Sequence, residues 1–154
     1  MILMIISIIL DAVFSSFSNI LFPLFTLVSL IIVYKTRKDF FKYSLIYGLI
    51  YGILFTNMFL LELISYYICS LFISYFFKNF KFNFLNCIVL TVLNITLYRI
   101  INFVLLVSCK TIKFNLFLLF KSIYSSILIN IFYITILYFL FRKKSNKKNY
   151  KLYN

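Results

Sequence analysis

The stretch CIVLTVLNITLYRIINFVLLVSC, residues 87–109, carries a single charge, Arg99. An α-helix needs about 20 mostly apolar residues to cross the hydrocarbon core of a bilayer, and this stretch is long enough. Inside that core every backbone N–H and C=O group must be hydrogen-bonded within the protein, which only helices and closed barrels achieve. Barrel strands alternate apolar and polar residues, and this stretch does not alternate. It therefore predicts a transmembrane helix.

The composition extends this prediction to the whole chain. Hydrophobic residues make up 64% of the sequence and charged residues 12%, against roughly 45–50% and 25% in soluble domains. A water-soluble globule of this size cannot bury so much apolar surface. We therefore predict an all-α, polytopic integral membrane protein. The abundant Phe, Ile, Leu, Asn, Lys and Tyr mostly have codons rich in A and T, which indicates a low-GC bacterium and its cytoplasmic membrane.

Charged and turn residues divide the chain into about six transmembrane helices. The first four form two tight hairpins, with turns near Pro23 and Asn57, and the last two form a longer C-terminal pair. We predict one transmembrane domain over 1–141 and a basic cytoplasmic tail over 142–154. The tail is expected to be disordered and attracted to anionic lipid headgroups. The candidate spans are 2–17, 20–34, 43–57, 59–77, 83–107 and 123–141.

The segment between the last two spans, residues 108–122, is apolar but interrupted by Lys110, Lys113 and Lys121. Such a pattern is typical of a short amphipathic helix lying on the membrane surface, here the outer one. The alternative is a single long, tilted helix from 114 to 141. We expect the separate interfacial helix.

The basic residues predict how the chain is oriented. KTRKDFFK after the second span, KNFK after the fourth and the C-terminal tail are basic, whereas the two hairpin turns carry no charge. The positive-inside rule places the basic segments, and hence both termini, in the cytoplasm. The net charge of +13 does not indicate a nucleic-acid partner, because it lies at membrane edges with no soluble domain to organise it.

The residues available for chemistry are few. The chain has no histidine, and its three acidic residues, Asp11, Asp39 and Glu62, are scattered along the sequence. The three cysteines, Cys69, Cys87 and Cys109, have no paired spacing. The sequence therefore predicts no catalytic residues, no metal site and no cofactor, and we do not expect an enzyme.

Three charged residues lie inside predicted spans: Asp11, Glu62 and Arg99. A charge at the bilayer centre costs at least about 2.5–3.5 kcal/mol, so such residues usually face other helices. We predict an intramembrane polar network in which Arg99 pairs with Asp11 or Glu62 and fixes the hairpins to the fifth span. The alternative for Glu62 is an acid near the lipid headgroups that needs no partner.

The only two glycines, Gly48 and Gly52, lie one helical turn apart. This Gly-x-x-x-Gly spacing exposes bare backbone on one face and allows another helix to approach closely. The spacing leaves open whether that neighbour belongs to the same chain or to a partner protein. Asn130 in the last span is a further candidate for a hydrogen bond between helices.

Four stretches in order resemble the rod shape-determining protein MreD family: IILDAVFSSF, LFPLFTLVSLIIVY, YGLIYGILFTNMFLLELISYYICSLFISYFF and SSILINIFYITILYFLFRK. In this resemblance Asp11 matches the acidic residue late in the family's first helix, and Asn130 matches the asparagine of the last span. Gly48 matches a family glycine. Gly52 stands where the family has an aspartate, and Glu62 falls near the usual asparagine.

The resemblance implies a non-enzymatic membrane component of the bacterial cell-elongation machinery. Its expected partners are the membrane-anchored MreC, the actin-like MreB filament, and the glycosyltransferase and transpeptidase that build peptidoglycan. The implied fold is similar to the substrate-binding subunits of energy-coupling-factor transporters. A vitamin-binding subunit of such a transporter is therefore the alternative function, although neither the Ala-x-x-x-Ala face nor the polar outer-loop residues usual for such subunits are evident.

Overall fold

Apolar helices make up the described fold, as the long hydrophobic runs predict. A computed structural model describes residues 2–17, 23–56, 58–110 and 115–150, with side chains described as far as Phe141. Within these ranges every regular element is helical. In chain order they are α1 (Ile2–Phe17), α2 (Phe25–Thr36), α3 (Phe40–Tyr51) continued by a π-helical turn (Gly52–Thr56), α4 (Phe59–Asn79), α5 (Phe84–Ser108) and α6 (Leu116–Tyr150).

Three of these helices are long and apolar enough to cross a membrane, over Phe59–Asn79, Phe84–Ser108 and Leu116–Phe141. Helices α1, α2 and α3 with its π-helical turn are apolar but shorter. The prediction of an all-helical fold is therefore confirmed for the described residues, and three of its helices have the length and composition of membrane spans. The count of six spans stays a prediction.

Helix α2 lies at the centre of the bundle. It packs against α1, α3, α4, α5 and α6, and each of its residues from Phe25 to Val33 is buried. Its C-terminal end reaches the surface at Lys35, which is exposed. A helix of 12 residues is about 18 Å long, shorter than a hydrocarbon core of about 30 Å. Because these residues are buried, the N-terminus of α2 lies inside the bundle.

The outer faces of the surrounding helices are apolar. On α5, for example, Leu85, Val89 and Leu93 lie on one face at intervals of four residues, and all three are exposed. Soluble monomers rarely expose contiguous apolar surface of this kind. These faces are suited to contact with lipid or with the helices of other membrane proteins.

Two expectations about the C-terminal part are wrong. Helix α6 is continuous from Leu116 to Tyr150, so no separate interfacial helix ends near residue 122, and the alternative of one long helix describes this part better. The described part of the tail, 142–150, is helical where disorder was expected. The physical reason is that Leu116–Tyr150 contains no glycine or proline, while Lys and Arg favour helix. Residues 18–22, which form most of the predicted turn before Pro23, lie outside the described residues, as do Asn57 of the second turn and Lys113.

Candidate functional site

The buried N-terminus of α2 is bound by an aspartate from another helix. Asp11 of α1 is only 2% exposed. Its two carboxylate oxygens accept hydrogen bonds from the backbone N–H groups of Phe25, at 2.8 Å, and Thr26, at 2.9 Å. The Thr26 hydroxyl donates to the same carboxylate. Because the first N–H groups of a helix have no partner within it and form its positive end, an acceptor with negative charge suits this position.

Asn130 binds the residue just before α2. Its Oδ1 accepts a hydrogen bond from the backbone N–H of Leu24 at 3.3 Å, and its Nδ2 donates to the Ser126 carbonyl at 2.7 Å. Asn130 is fully buried. Three consecutive N–H groups, those of residues 24–26, are thus satisfied by side chains of α1 and α6. The sequence alone pointed to Asp11 and Asn130 but not to the backbone groups that they bind.

Glu62 of α4 binds two side chains of α5. Its Oε2 accepts from the Tyr98 hydroxyl at 2.7 Å, and its Oε1 accepts from Asn102 Nδ2 at 3.3 Å. Asn102 Oδ1 in turn accepts from the Ser65 hydroxyl at 2.6 Å. Glu62 is 4% exposed, so the alternative of an unpartnered acid among lipid headgroups is wrong. These contacts fix α4 against α5.

Arg99 of α5 binds α6, because its Nη2 donates to the Ser126 hydroxyl at 2.7 Å. The carbonyl of Ser126 accepts from Asn130, which binds the residue before α2. Hydrogen bonds thus connect Arg99 to the end of α2 that Asp11 binds. A direct ion pair of Arg99 with either acid stays a prediction.

We call this group of side chains the buried polar cluster. Thr26, Tyr98 and Ser126 belong to it but were not among the residues predicted from sequence. A weak signal existed for Ser126, because it lies one helical turn before Asn130. The cluster consists of Asp11, Thr26, Glu62, Tyr98, Arg99, Asn102, Ser126 and Asn130.

Gly48 and Gly52 face α4 of the same chain. A Cβ atom placed on Gly48 would lie 2.9 Å from Tyr66 Cβ, and one on Gly52 would lie 2.5 Å from the Cα atom of Phe59. Such distances are shorter than normal contacts, so only glycine permits this approach. The sequence left open whether the neighbouring helix belongs to the same chain or to a partner protein. In the structure it belongs to the same chain. The approach also sets the position of α4, which carries Glu62.

Two buried polar side chains beside the cluster have no hydrogen-bond partner within the described part of the chain. They are Tyr66, through its hydroxyl, and Asn94, through both of its amide atoms. The ring of Tyr66 lies 5.8 Å from that of Tyr98, and Asn94 precedes Tyr98 by one helical turn on α5. An unsatisfied buried polar group costs about 1–3 kcal/mol. A hydrogen-bond partner beside these atoms would remove this cost.

The polar side chains of this site hydrogen-bond one helix to another. Both carboxylates of the cluster accept hydrogen bonds from other helices, as described above. Across the described ranges, no group of three His, Cys, Asp or Glu side chains is placed to hold a metal ion. Cys69 and Cys87 are buried and Cys109 is exposed.

Comparisons with known proteins do not assign the site to a family. No protein family, curated protein or solved structure matches the chain. The resemblance to the MreD family, based on the order of four apolar stretches, stays an expectation.

Proposed function

We propose that this chain is a non-enzymatic membrane scaffold of the bacterial cell-elongation machinery, as its resemblance to the MreD family implies. The observation that supports the proposal best is that the buried polar cluster connects the helices by hydrogen bonds. Asp11 and Asn130 bind the N-terminus of α2, and Glu62 binds α5. In this proposal the intramembrane polar residues hold the helices in a fixed arrangement.

A fixed arrangement is what a scaffold requires. Outward-facing apolar rows, such as Leu85, Val89 and Leu93 of α5, are then presented to the transmembrane helices of partners. The proposed partners are an MreC-like anchored protein, an MreB-like filament, and a peptidoglycan glycosyltransferase and transpeptidase. The proposed location is the bacterial cytoplasmic membrane, with both termini in the cytoplasm.

Depletion of the protein in its own organism tests this function. We expect depleted cells to lose their rod shape and become round, because wall synthesis is no longer directed along the cell's length. The wild-type chain and Asp39→Ala should restore the shape. Asp11→Ala should not restore it, because the α2 N-terminus loses its acceptor. Depleted cells that keep their shape would contradict the proposal.

The second candidate function is a small-molecule binding subunit of an energy-coupling-factor transporter. The buried Tyr66 hydroxyl and Asn94 amide favour it, because a polar ligand beside them would supply the hydrogen-bond partners that the described residues do not. In that case depletion should create a vitamin requirement while the cell shape stays normal. Neighbouring genes also discriminate: a gene for MreC favours the scaffold, and transporter ATPase genes favour the uptake protein.

A further inference from the structure

Two basic segments that are far apart in the sequence meet at one end of the bundle. One is the corner between α2 and α3, and the other is the corner between α4 and α5. The rings of Tyr34 and Phe77 are stacked with centroids 5.3 Å apart, and Lys35 Nζ lies 5.9 Å from the Phe82 ring centroid. We call this end the basic end; its cationic residues are Lys35, Arg37, Lys38, Lys42, Lys78 and Lys81, and all of them are exposed.

The basic end contains a cleft beside exposed apolar residues of α3. The cleft has a volume of about 510 Å³ and is lined by a run of cationic, polar and aromatic side chains at the α2–α3 corner: Tyr34, Lys35, Thr36, Arg37, Lys38, Phe40 and Phe41. Phe41 is exposed, and Leu45, one helical turn further along α3, is exposed as well. Cationic groups and an apolar row thus lie next to each other.

We propose that this cleft binds the headgroup of an anionic phospholipid. Lys and Arg side chains bind phosphate oxygens through charge-assisted hydrogen bonds. The exposed apolar row from Phe41 to Leu45 provides a surface for an acyl chain, which a free anion does not need. Among the described residues of this end, Asp39 is the one acid. The net positive charge of the basic end therefore strongly favours an anionic ligand. Lys78 and Lys81 of the α4–α5 corner are not part of the cleft lining, but they lie at the same end of the bundle, so their charge adds to the attraction for an anion.

Native mass spectrometry of the full chain in detergent tests the site, with phosphatidylglycerol and phosphatidylcholine as probes. We expect phosphatidylglycerol to bind and phosphatidylcholine to bind much more weakly. The double variant Lys35→Gln/Lys81→Gln removes one charge from each corner and should weaken phosphatidylglycerol binding by at least about tenfold. The matched control Lys110→Gln/Lys121→Gln removes two exposed charges near the other end of α5 and should bind as the wild type does.

Three results would overturn the proposal. The first is equal binding of the two lipids, which would show that the net negative charge of the headgroup is not recognised. The second is an equal loss of binding in the two double variants, which would indicate attraction to overall charge only. The third is displacement of the lipid by millimolar inorganic phosphate, which would identify a site for free anions. An unchanged thermal midpoint in both double variants verifies that they are folded.

Discussion

Asp11→Ala is expected to lower the free energy of unfolding by about 3 kcal/mol or more. The substitution removes the acceptor for the backbone N–H groups of Phe25 and Thr26, and each buried donor left without a partner costs about 1–3 kcal/mol. Water cannot replace the carboxylate easily, because α2 is buried from Phe25 to Val33. Replacing an exposed helix cap by alanine usually costs about 0.5–2 kcal/mol of stability. That cost is therefore a lower limit for Asp11→Ala.

The buried cysteines of the chain can report its unfolding in this measurement. Cys69 and Cys87 are buried, whereas Cys109 is exposed. In a Cys109→Ser background, a fluorogenic maleimide therefore reacts as the purified protein unfolds on heating. The control is Asp39→Ala: Asp39 also precedes a helix, but it is exposed, and its side chain makes no capping hydrogen bond to the described residues. We expect a large drop in the unfolding midpoint for Asp11→Ala and almost none for Asp39→Ala. Equal midpoints would show that Asp11 does not hold α2.

Gly52→Ala is expected to cause the other large loss, at the upper end of the range of about 1–3 kcal/mol known for overpacking. Two effects oppose each other at this position. Alanine favours helix over glycine by about 1 kcal/mol, but its Cβ would lie 2.5 Å from the Cα atom of Phe59. A backbone atom cannot rotate away as a side chain can, so α4 must move. The clash therefore outweighs the gain in helix propensity.

The movement of α4 should also disturb the buried polar cluster, because the new methyl group would lie 3.2 Å from Glu62 Cβ. The same maleimide assay measures the loss. The control is Leu54→Phe, which adds volume in the same π-helical turn at a position that is 58% exposed. Leu54→Phe should unfold at nearly the wild-type temperature. An unfolding midpoint of Gly52→Ala at or above that of the wild type would contradict the close contact between the π-helical turn and α4.

The sequence predicts the helices well because each apolar run leaves few other choices in a bilayer. It also identifies Asp11, Glu62 and Arg99, since a charge inside such a run needs a partner. It does not identify the partners of the acids. Asp11 binds backbone N–H groups, and every residue except proline has one, so no residue type marks the position.

The central position of α2 in the bundle could not be predicted from the sequence either. In a soluble helix, polar residues mark the face that meets water, whereas in a membrane helix apolar residues face both lipid and protein. The pattern of LFPLFTLVSLIIVY therefore does not distinguish a buried helix from a lipid-facing one. The error over residues 108–122 has a similar cause. The expectation of an interfacial helix rests on Lys110, Lys113 and Lys121, yet a long lysine side chain such as that of Lys121 can extend to the membrane surface from within a spanning helix.

Cysteine labelling on intact cells tests the central claim most directly, namely that these helices form a transmembrane bundle. From Lys38 to Cys109 the chain passes through α3, α4 and α5, so three crossings should place the two positions on opposite sides. A membrane-impermeant maleimide should label Cys109 in intact cells. It should label Lys38→Cys, in a Cys109→Ser background, only after permeabilisation. Labelling of both positions from the same side would contradict the account.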